Sequence, residues 1–181
     1  YEELDSILSI ALNYATNKSY YEQDPFKLMP HVRNTIERGK LITSEQYIQA
    51  LTKLYELRDY ISSLFINYDF IATPTSAFTA NKCDEKHIVE NGKLKIVKMT
   101  REDKFIENDM DYSSWNFACK QFTALFNWSG NPGASIPSGF TKYNMPVGLQ
   151  IVGAKENEVG VLQASRVIEL EKPWQNKRPI I

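Results

Sequence analysis

The stretch FNWSGNPGASIPSGFTKYNMPVGLQIVG, residues 126–153, decides the fold of this chain. It holds two apolar runs, ASIPSGF at 134–140 and VGLQIVG at 147–153, which are joined across residues 143–145. Glycines stand at the breaks, where a positive φ or a close backbone approach is needed, and prolines stand where a strand can lack an amide donor. The pattern predicts two adjacent strands of one sheet. Because glycine and proline supply no catalytic group, the direct interpretation of the stretch is structural.

Helices are predicted on both sides of these two strands. Residues 113–126 have apolar side chains at helical spacing, and the Asn-Pro-Gly sequence at 131–133 breaks that helix. A last helix is predicted near 157–171. The apolar residues of the first helix are Trp115, Ala118, Phe122 and Leu125, and those of the last are Val159, Leu162, Val167 and Leu170.

The first part of the chain is predicted to be helical. An amphipathic helix is expected over residues 2–16, ended by Asn17 and the polar residues after it, and a shorter one at 27–38. The longest helix runs from 44 to 65, where Thr43 and Gln46 fit a capping box. Its apolar stripe indicates a packing face: Tyr47, Leu51, Leu54, Leu57, Ile61, Leu64 and Phe65.

Strands follow these helices. A short apolar run at 69–73, closed by Pro74, predicts a buried strand. The Asn-Gly pair at 91–92 accepts the φ angles of a tight turn and predicts a hairpin across 87–98, before an exposed charged excursion at 99–111. Because helices alternate with strands, the fold class is α/β.

Composition excludes several kinds of partner. Lys+Arg 21 against Asp+Glu 22 gives a net charge of −1, which offers no field for nucleic acid or an anionic membrane. The cysteines Cys83 and Cys119 show no paired metal-site spacing and predict reduced thiols in a cytoplasmic protein. With only two histidines, neither a zinc site nor a Ser-His-Asp triad is well supplied, so no metal or cofactor is expected.

The signature stretch resembles the C-terminal signature of the amidase family. The match lies in an Asn-x-x-Gly-x-Pro segment, a Pro-x-Gly strand end and a Pro-hydrophobic-Gly-Leu-Gln strand. Upstream, YDFIATPTSAFTA at 68–80 and RGKLITSEQYIQAL at 38–51 are similar to further family segments. The matching residues are Asn127, Gly130, Pro132, Pro137, Gly139, Pro146, Gly148, Leu149, Gln150 and Gly153, with Glu169, Pro173 and Trp174 behind them.

The resemblance implies the C-terminal part of a single amidase signature domain over residues 1–181, with a mixed β-sheet flanked by helices. It implies hydrolysis of a small-molecule amide by a nucleophilic serine, a relay serine and a lysine base. The family carries these three residues in a Gly/Ser-rich N-terminal segment, which this sequence does not contain. We therefore assign no catalytic residue here and expect the chain to be inactive alone. Because it begins with Tyr1 and not with methionine, we also expect it to be a fragment.

By the same resemblance, the helix before the signature Asn faces the acyl group. The positions concerned are Phe117, Lys120 and Ala124, whose spacings of three and four residues are those of one helical face. At the middle position, family members that act on glutamine bound to transfer RNA have an aspartate, and this chain has Lys120. Lys120 is either a solvated helical lysine or a cation that selects an acyl group with a carboxylate or polar acceptor.

Three functions remain open. The chain is part of an amidase whose Ser-Ser-Lys residues come from a missing N-terminal segment or a partner chain, or it is a non-catalytic fragment that binds a ligand or partner. The third alternative is an amidotransferase A-type subunit, against which Lys120 argues. An exposed strand edge would also allow a homodimer.

Overall fold

The computed structural model describes residues 2–80, 85–90, 93–98, 120–171, 174 and 177. The helices are α1 (Glu2–Gln23), a 3-10 turn (Pro25–Lys27), α2 (Pro30–Gly39), α3 (Ser44–Leu64), α4 (Ala124–Ser129) and α5 (Glu158–Glu171). The strands are β1 (Phe70–Pro74), β2 (Glu85–Glu90), β3 (Lys93–Lys98), β4 (Gly133–Phe140) and β5 (Pro146–Gly153). The predicted α/β class is confirmed, and every strand pair in the described ranges is antiparallel.

The chain divides into two compact units, and the division falls within α3. In the first unit α1 packs against α2, with Leu4, Leu8 and Ile36 buried. Gly39 permits this approach, because a Cβ there would overlap the Cβ of Tyr14 and lie 3.1 Å from the Ile10 carbonyl oxygen.

The prediction that α1 ends at Asn17 is wrong, since the helix continues to Gln23. Asn17 Nδ2 donates to the Asn13 carbonyl oxygen at 3.1 Å, and Lys18 lies 3.8 Å from Glu22 one turn later. Polar residues that bond within the helix therefore extend it. The second helix begins at Pro30 and not at 27, because Pro25–Lys27 forms a separate 3-10 turn.

The first unit also contains a small polar cluster between α1 and α2. The Glu37 carboxylate accepts from Lys40 Nζ at 2.7 Å and from the Tyr21 hydroxyl, and the Lys40 ammonium lies 4.5 Å from the centre of the Tyr21 ring. The hydrogen bond from Lys40 and then the one from Tyr21 lower the pKa of Glu37, while the bond with Glu37 raises the pKa of Tyr21 and of Lys40.

The predicted capping box at the start of α3 is confirmed. The Thr43 amide donates to Gln46 Oε1 at 2.9 Å, and the Gln46 amide donates to Thr43 Oγ1 at 3.1 Å. The apolar stripe is confirmed at Leu54 and Ile61, which are buried, whereas Tyr47 is 40% exposed. α3 thus supplies core residues to both units.

The second unit is built on a three-stranded sheet of order β1-β5-β4. The two predicted strands of the signature stretch are therefore neighbours, as expected, and Ile136, Ile151 and Val152 form the buried centre. α5 packs on β4 and β5 through Val161. β1 was predicted to be buried, but it lies at the edge of this sheet and its residues alternate between exposed and half-buried.

The opposite side of α5 is exposed and apolar. In contrast to Val161, which is 3% exposed, the four predicted apolar residues of this helix are 62% to 67% exposed. We call these residues the α5 apolar face: Val159, Leu162, Val167 and Leu170.

The predicted hairpin is confirmed, with β2 paired to β3 from Glu85↔Lys98 to Glu90↔Lys93. Its Asn-Gly connection at 91–92, the excursion at 99–111 and the cysteines Cys83 and Cys119 lie outside the described residues. Within the part of the chain that is described, no helix is long and apolar enough to cross a membrane. No group of three His, Cys, Asp or Glu side chains there could hold a metal ion.

Candidate functional site

Of the three residues predicted to face an acyl group, two lie in the described part of the second unit. Lys120 is helical and half-buried, and Ala124 begins α4 and is 4% exposed. Residues 121–123 form a turn between them, in which the Lys120 carbonyl oxygen accepts from the Thr123 amide at 2.9 Å. Of the helix predicted over 113–126, residues 113–119 lie outside the described residues, and a helix runs from Ala124 to Ser129. Phe117 lies outside the described residues, so its place on this face stays a prediction.

α4 ends at a glycine that the helix requires. Gly130 has φ +79°, and its amide donates to the Phe126 carbonyl oxygen at 2.9 Å. This left-handed cap satisfies a carbonyl that the helix leaves open, and it turns the chain toward β4.

Buried polar contacts attach this turn to the sheet. Ser129 has no exposed surface, and its hydroxyl donates to Asn131 Oδ1 at 2.6 Å. Asn131 Nδ2 in turn donates to the Gly153 carbonyl oxygen at 2.8 Å, and the Gly153 amide donates to the Pro132 carbonyl oxygen at 3.0 Å. The end of α4 is thereby bonded to the end of β5.

Gln150 of β5 connects the sheet to the turn between Lys120 and Ala124. Its side chain is buried, with 6% exposed, and Nε2 donates to the Phe122 carbonyl oxygen at 2.8 Å. The same nitrogen donates to Thr73 Oγ1 of β1 at 3.0 Å. One side chain on the central strand therefore positions both an outer strand and the segment predicted to face the acyl group.

A second connection comes from α3. Arg58 Nε donates to the Trp128 carbonyl oxygen at 3.0 Å, so the C-terminal part of α3 is bonded to α4. Together with Gln150, this contact supports the segment from two directions.

The buried polar residues that attach this segment to the sheet were not predicted from the sequence. Asn127 of the signature is exposed, and the polar residue buried near it is Ser129. A usable signal was present for Gln150, since a polar residue inside an apolar strand run must find partners when it is buried. Which partners it finds depends on the strand order, which the sequence does not state.

Two pairs of adjacent serines occur in the sequence, at 62–63 and at 113–114. The serine pair Ser62-Ser63 lies in α3, where Ser63 Oγ donates to the Tyr60 carbonyl oxygen at 2.7 Å. The other serine pair, at 113–114, lies outside the described residues. The described segment is bonded to the sheet and carries a half-buried lysine, Lys120, and a buried small residue, Ala124.

The chain matches one family model and is similar to several known proteins. A family model described as Amidase matches residues 9–162. The chain is 28% identical over 155 residues to the A-type subunit of the glutamyl-tRNA(Gln) amidotransferase of Thermodesulfovibrio yellowstonii, covering 83% of this chain and 27% of that protein. It is 25% identical over 154 residues to the lipoamidase of Enterococcus faecalis, covering 79% and 21%.

A solved structure is similar over nearly the whole chain. The crystal structure of an amidase aligns with a TM-score of 0.72 at 20% identity, covering 93% of this chain and 35% of that one. At this identity the likeness establishes the fold. The chain spans about a quarter of the length of the two curated relatives described above.

Proposed function

The chain belongs to the amidase family, and from that premise we propose that it is the C-terminal part of an enzyme that hydrolyses a small-molecule carboxamide. In this proposal a nucleophilic serine, a relay serine and a lysine base lie on polypeptide outside these 181 residues. A serine hydroxyl attacks an amide effectively only when a base takes its proton, so that lysine has to be neutral. The amine leaves with a proton, and water then hydrolyses the acyl-enzyme.

The observation that carries the proposal is the way this chain holds residues 120–124. Gln150 binds the turn from the sheet and Arg58 binds the following helix, so Lys120 and Ala124 stand on a supported backbone. A segment held in this manner can define the shape of a pocket without supplying a reacting group. The proposed role of this part of the enzyme is therefore to bind and select the acyl group.

The α5 apolar face supports the need for further polypeptide. Four aliphatic side chains on one side of a helix are more than 60% exposed, although burying each would contribute about 1.5–3 kcal/mol. The curated relatives are about four times as long as the matched part of this chain. We propose that the polypeptide with the Ser-Ser-Lys residues covers such faces when the enzyme is complete.

The test uses the intact polypeptide that contains these residues, with residues 1–181 alone as its matched control. Intact enzyme should release ammonia from hexanamide, and a fluorophosphonate probe should label a serine outside residues 1–181. The isolated chain should neither turn over the amide nor react with the probe. A labelled serine within residues 1–181, or turnover by them alone, would contradict the proposal, and an inert intact polypeptide would favour the non-catalytic alternative.

Lys120 allows a test of acyl selection. If its cation faces the acyl group, Lys120→Met in the intact enzyme should raise the ratio of activity on neutral acyl amides to that on acidic ones. An exposed lysine replaced on α1, Lys18→Met, is the matched control and should leave that ratio unchanged. The same ratio in both variants would mean that Lys120 is an ordinary helical lysine.

A second candidate is an amidotransferase A-type subunit, since a protein of that kind is among the relatives. Lys120 in place of the aspartate expected by resemblance argues against it. The two candidates differ in assay, because an amidotransferase subunit of that kind would act together with glutamyl-tRNA(Gln). Glutamine hydrolysis that increases with such RNA would therefore replace the first proposal with the second.

A further inference from the structure

A groove of about 560 Å³ lies in the second unit where β1 ends against the other two strands. Residues that follow β1 form one side, and residues of β4 and the start of β5 form the other. Its volume falls in the range of small-molecule sites. Most of its lining is apolar: Pro74, Ala77, Phe78, Pro137, Pro146 and Val147.

Two hydroxyl groups meet within this groove. Thr75 Oγ1 and Ser135 Oγ lie 2.7 Å apart and are hydrogen-bonded, although they come from opposite sides of the central strand β5. They reach each other across Gly148, whose carbonyl oxygen accepts from the Thr75 amide at 3.0 Å. A Cβ at Gly148 would lie 2.7 Å from Thr75 Oγ1 and 3.1 Å from Ser135 Oγ, so this contact requires glycine.

The hydroxyl pair can both donate a hydrogen bond to a carboxamide and accept one from it. One O–H bonds the other oxygen, which leaves one O–H to donate and several lone pairs to accept. A carboxamide offers a carbonyl oxygen for the donor and N–H groups for the acceptors. Among the described residues that line the groove none carries a formal charge, so the groove offers no ion-pair partner to a carboxylate or an ammonium.

The groove also adjoins the supported segment. Ser135 is paired directly with Gln150, and opposed residues in an antiparallel ladder place their side chains on the same face of the sheet. Gln150 uses that face to bind the Phe122 carbonyl oxygen. The hydroxyl pair and the turn between Lys120 and Ala124 therefore lie over one face of one sheet, with Gln150 between them.

We infer that this groove binds an uncharged carboxamide, with the amide on the Thr75–Ser135 hydroxyl pair and the acyl chain along the apolar lining. The inference rests on the proposed function, since it supplies that enzyme with a site for the neutral end of its substrate. It does not require that the same amide be cleaved while it is bound there.

The experiment measures binding in the intact polypeptide by methyl NMR, with hexanamide as the probe and hexanoate as its charged counterpart. Hexanamide should shift the methyl signals of Ala77 and Val147, and hexanoate at equal concentration should not. Thr75→Val and Ser135→Ala should each weaken hexanamide binding about fivefold or more, as loss of one hydrogen bond to a ligand does. Thr75→Ser should retain binding, and Ser63→Ala on α3 is the matched control.

Several results would overturn the inference. These are equal shifts with hexanoate, unchanged hexanamide binding in both hydroxyl variants, or no shift at all. Turnover of hexanamide without these shifts would support the proposed function and refute only the inference about the groove. Binding of hexanamide without turnover would support the groove and refute the proposed hydrolysis.

Discussion

Replacing Gln150 with leucine should destabilise the second unit and loosen the turn between Lys120 and Ala124. The side chain is 6% exposed and donates two hydrogen bonds, of 2.8 Å to the Phe122 carbonyl oxygen and 3.0 Å to Thr73 Oγ1. Leucine has a similar volume but no donor, so both acceptors lose a partner while the strand and its register stay compatible with the new residue.

The magnitude follows from these two acceptors. A buried group left without its hydrogen bond costs about 1–3 kcal/mol. Thr73 is half-buried and can turn its hydroxyl to water, so its share lies at the low end. The added apolar surface of leucine returns about 1 kcal/mol. We expect Gln150→Leu to lower the free energy of unfolding by about 2 kcal/mol.

Urea unfolding and hydrogen exchange measure this effect. With a slope of about 2 kcal/mol per molar urea, the midpoint should fall by about 1 M, and the Thr123 amide should exchange faster. The matched control is Gln163→Leu at an exposed position of α5, where a change within about 0.5 kcal/mol is expected. Equal midpoints for the two variants, or unchanged exchange at Thr123, would refute the role assigned to Gln150.

Three further predictions concern backbone and charge. Gly130→Ala should destabilise by about 1–2 kcal/mol in urea unfolding, because φ is +79° and the nearest atom to the added Cβ is 3.9 Å away, which leaves backbone strain as the cause. Gly39→Ala should cost about 1–3 kcal/mol by overpacking against α1, and an unchanged midpoint would contradict that packing. The pKa of Glu37 is lowered in the fold, so its contribution is present at neutral pH and is lost as pH falls through the folded pKa. NMR titration should show that Lys40→Met moves this pKa back up, and no movement would contradict the ion pair.

Local chemistry was enough to predict much of the fold. The capping box at Thr43, the strands on either side of residues 141–145 and the hairpin around 91–92 each depend on a few adjacent residues. Errors arose where local polarity was taken for a helix end. α1 passes Asn17 because that side chain bonds back to the helix, which spacing alone does not reveal.

Burial was harder to predict than helix or strand, because it depends on which element covers which. The α5 apolar face and Tyr47 have the periodicity of core residues, yet they are exposed in this chain. Asn127, which is part of the signature, is exposed, while Ser129 two residues later has no exposed surface. A periodic pattern shows that one side of a helix is apolar, but it does not say what packs there.

The residues of the candidate site lie on or directly after three different strands, so the sequence indicates them one at a time and not as a group. The residues at 73, 75, 135, 148 and 150 are far apart in sequence, and only the order β1-β5-β4 puts them on one face. With this strand order, position 150 needs a hydrogen-bond donor, because it binds the turn through the Phe122 carbonyl oxygen. Position 148 needs glycine, because a side chain there would separate the hydroxyls of Thr75 and Ser135. The family signature Gly-Leu-Gln thus combines two requirements of the same sheet face. Gly148→Ala should therefore abolish hexanamide binding, while Gln150 should still protect the Thr123 amide from exchange. The two residues lie close together on one strand, but Gly148 makes room for the Thr75–Ser135 hydroxyl pair and Gln150 binds the turn.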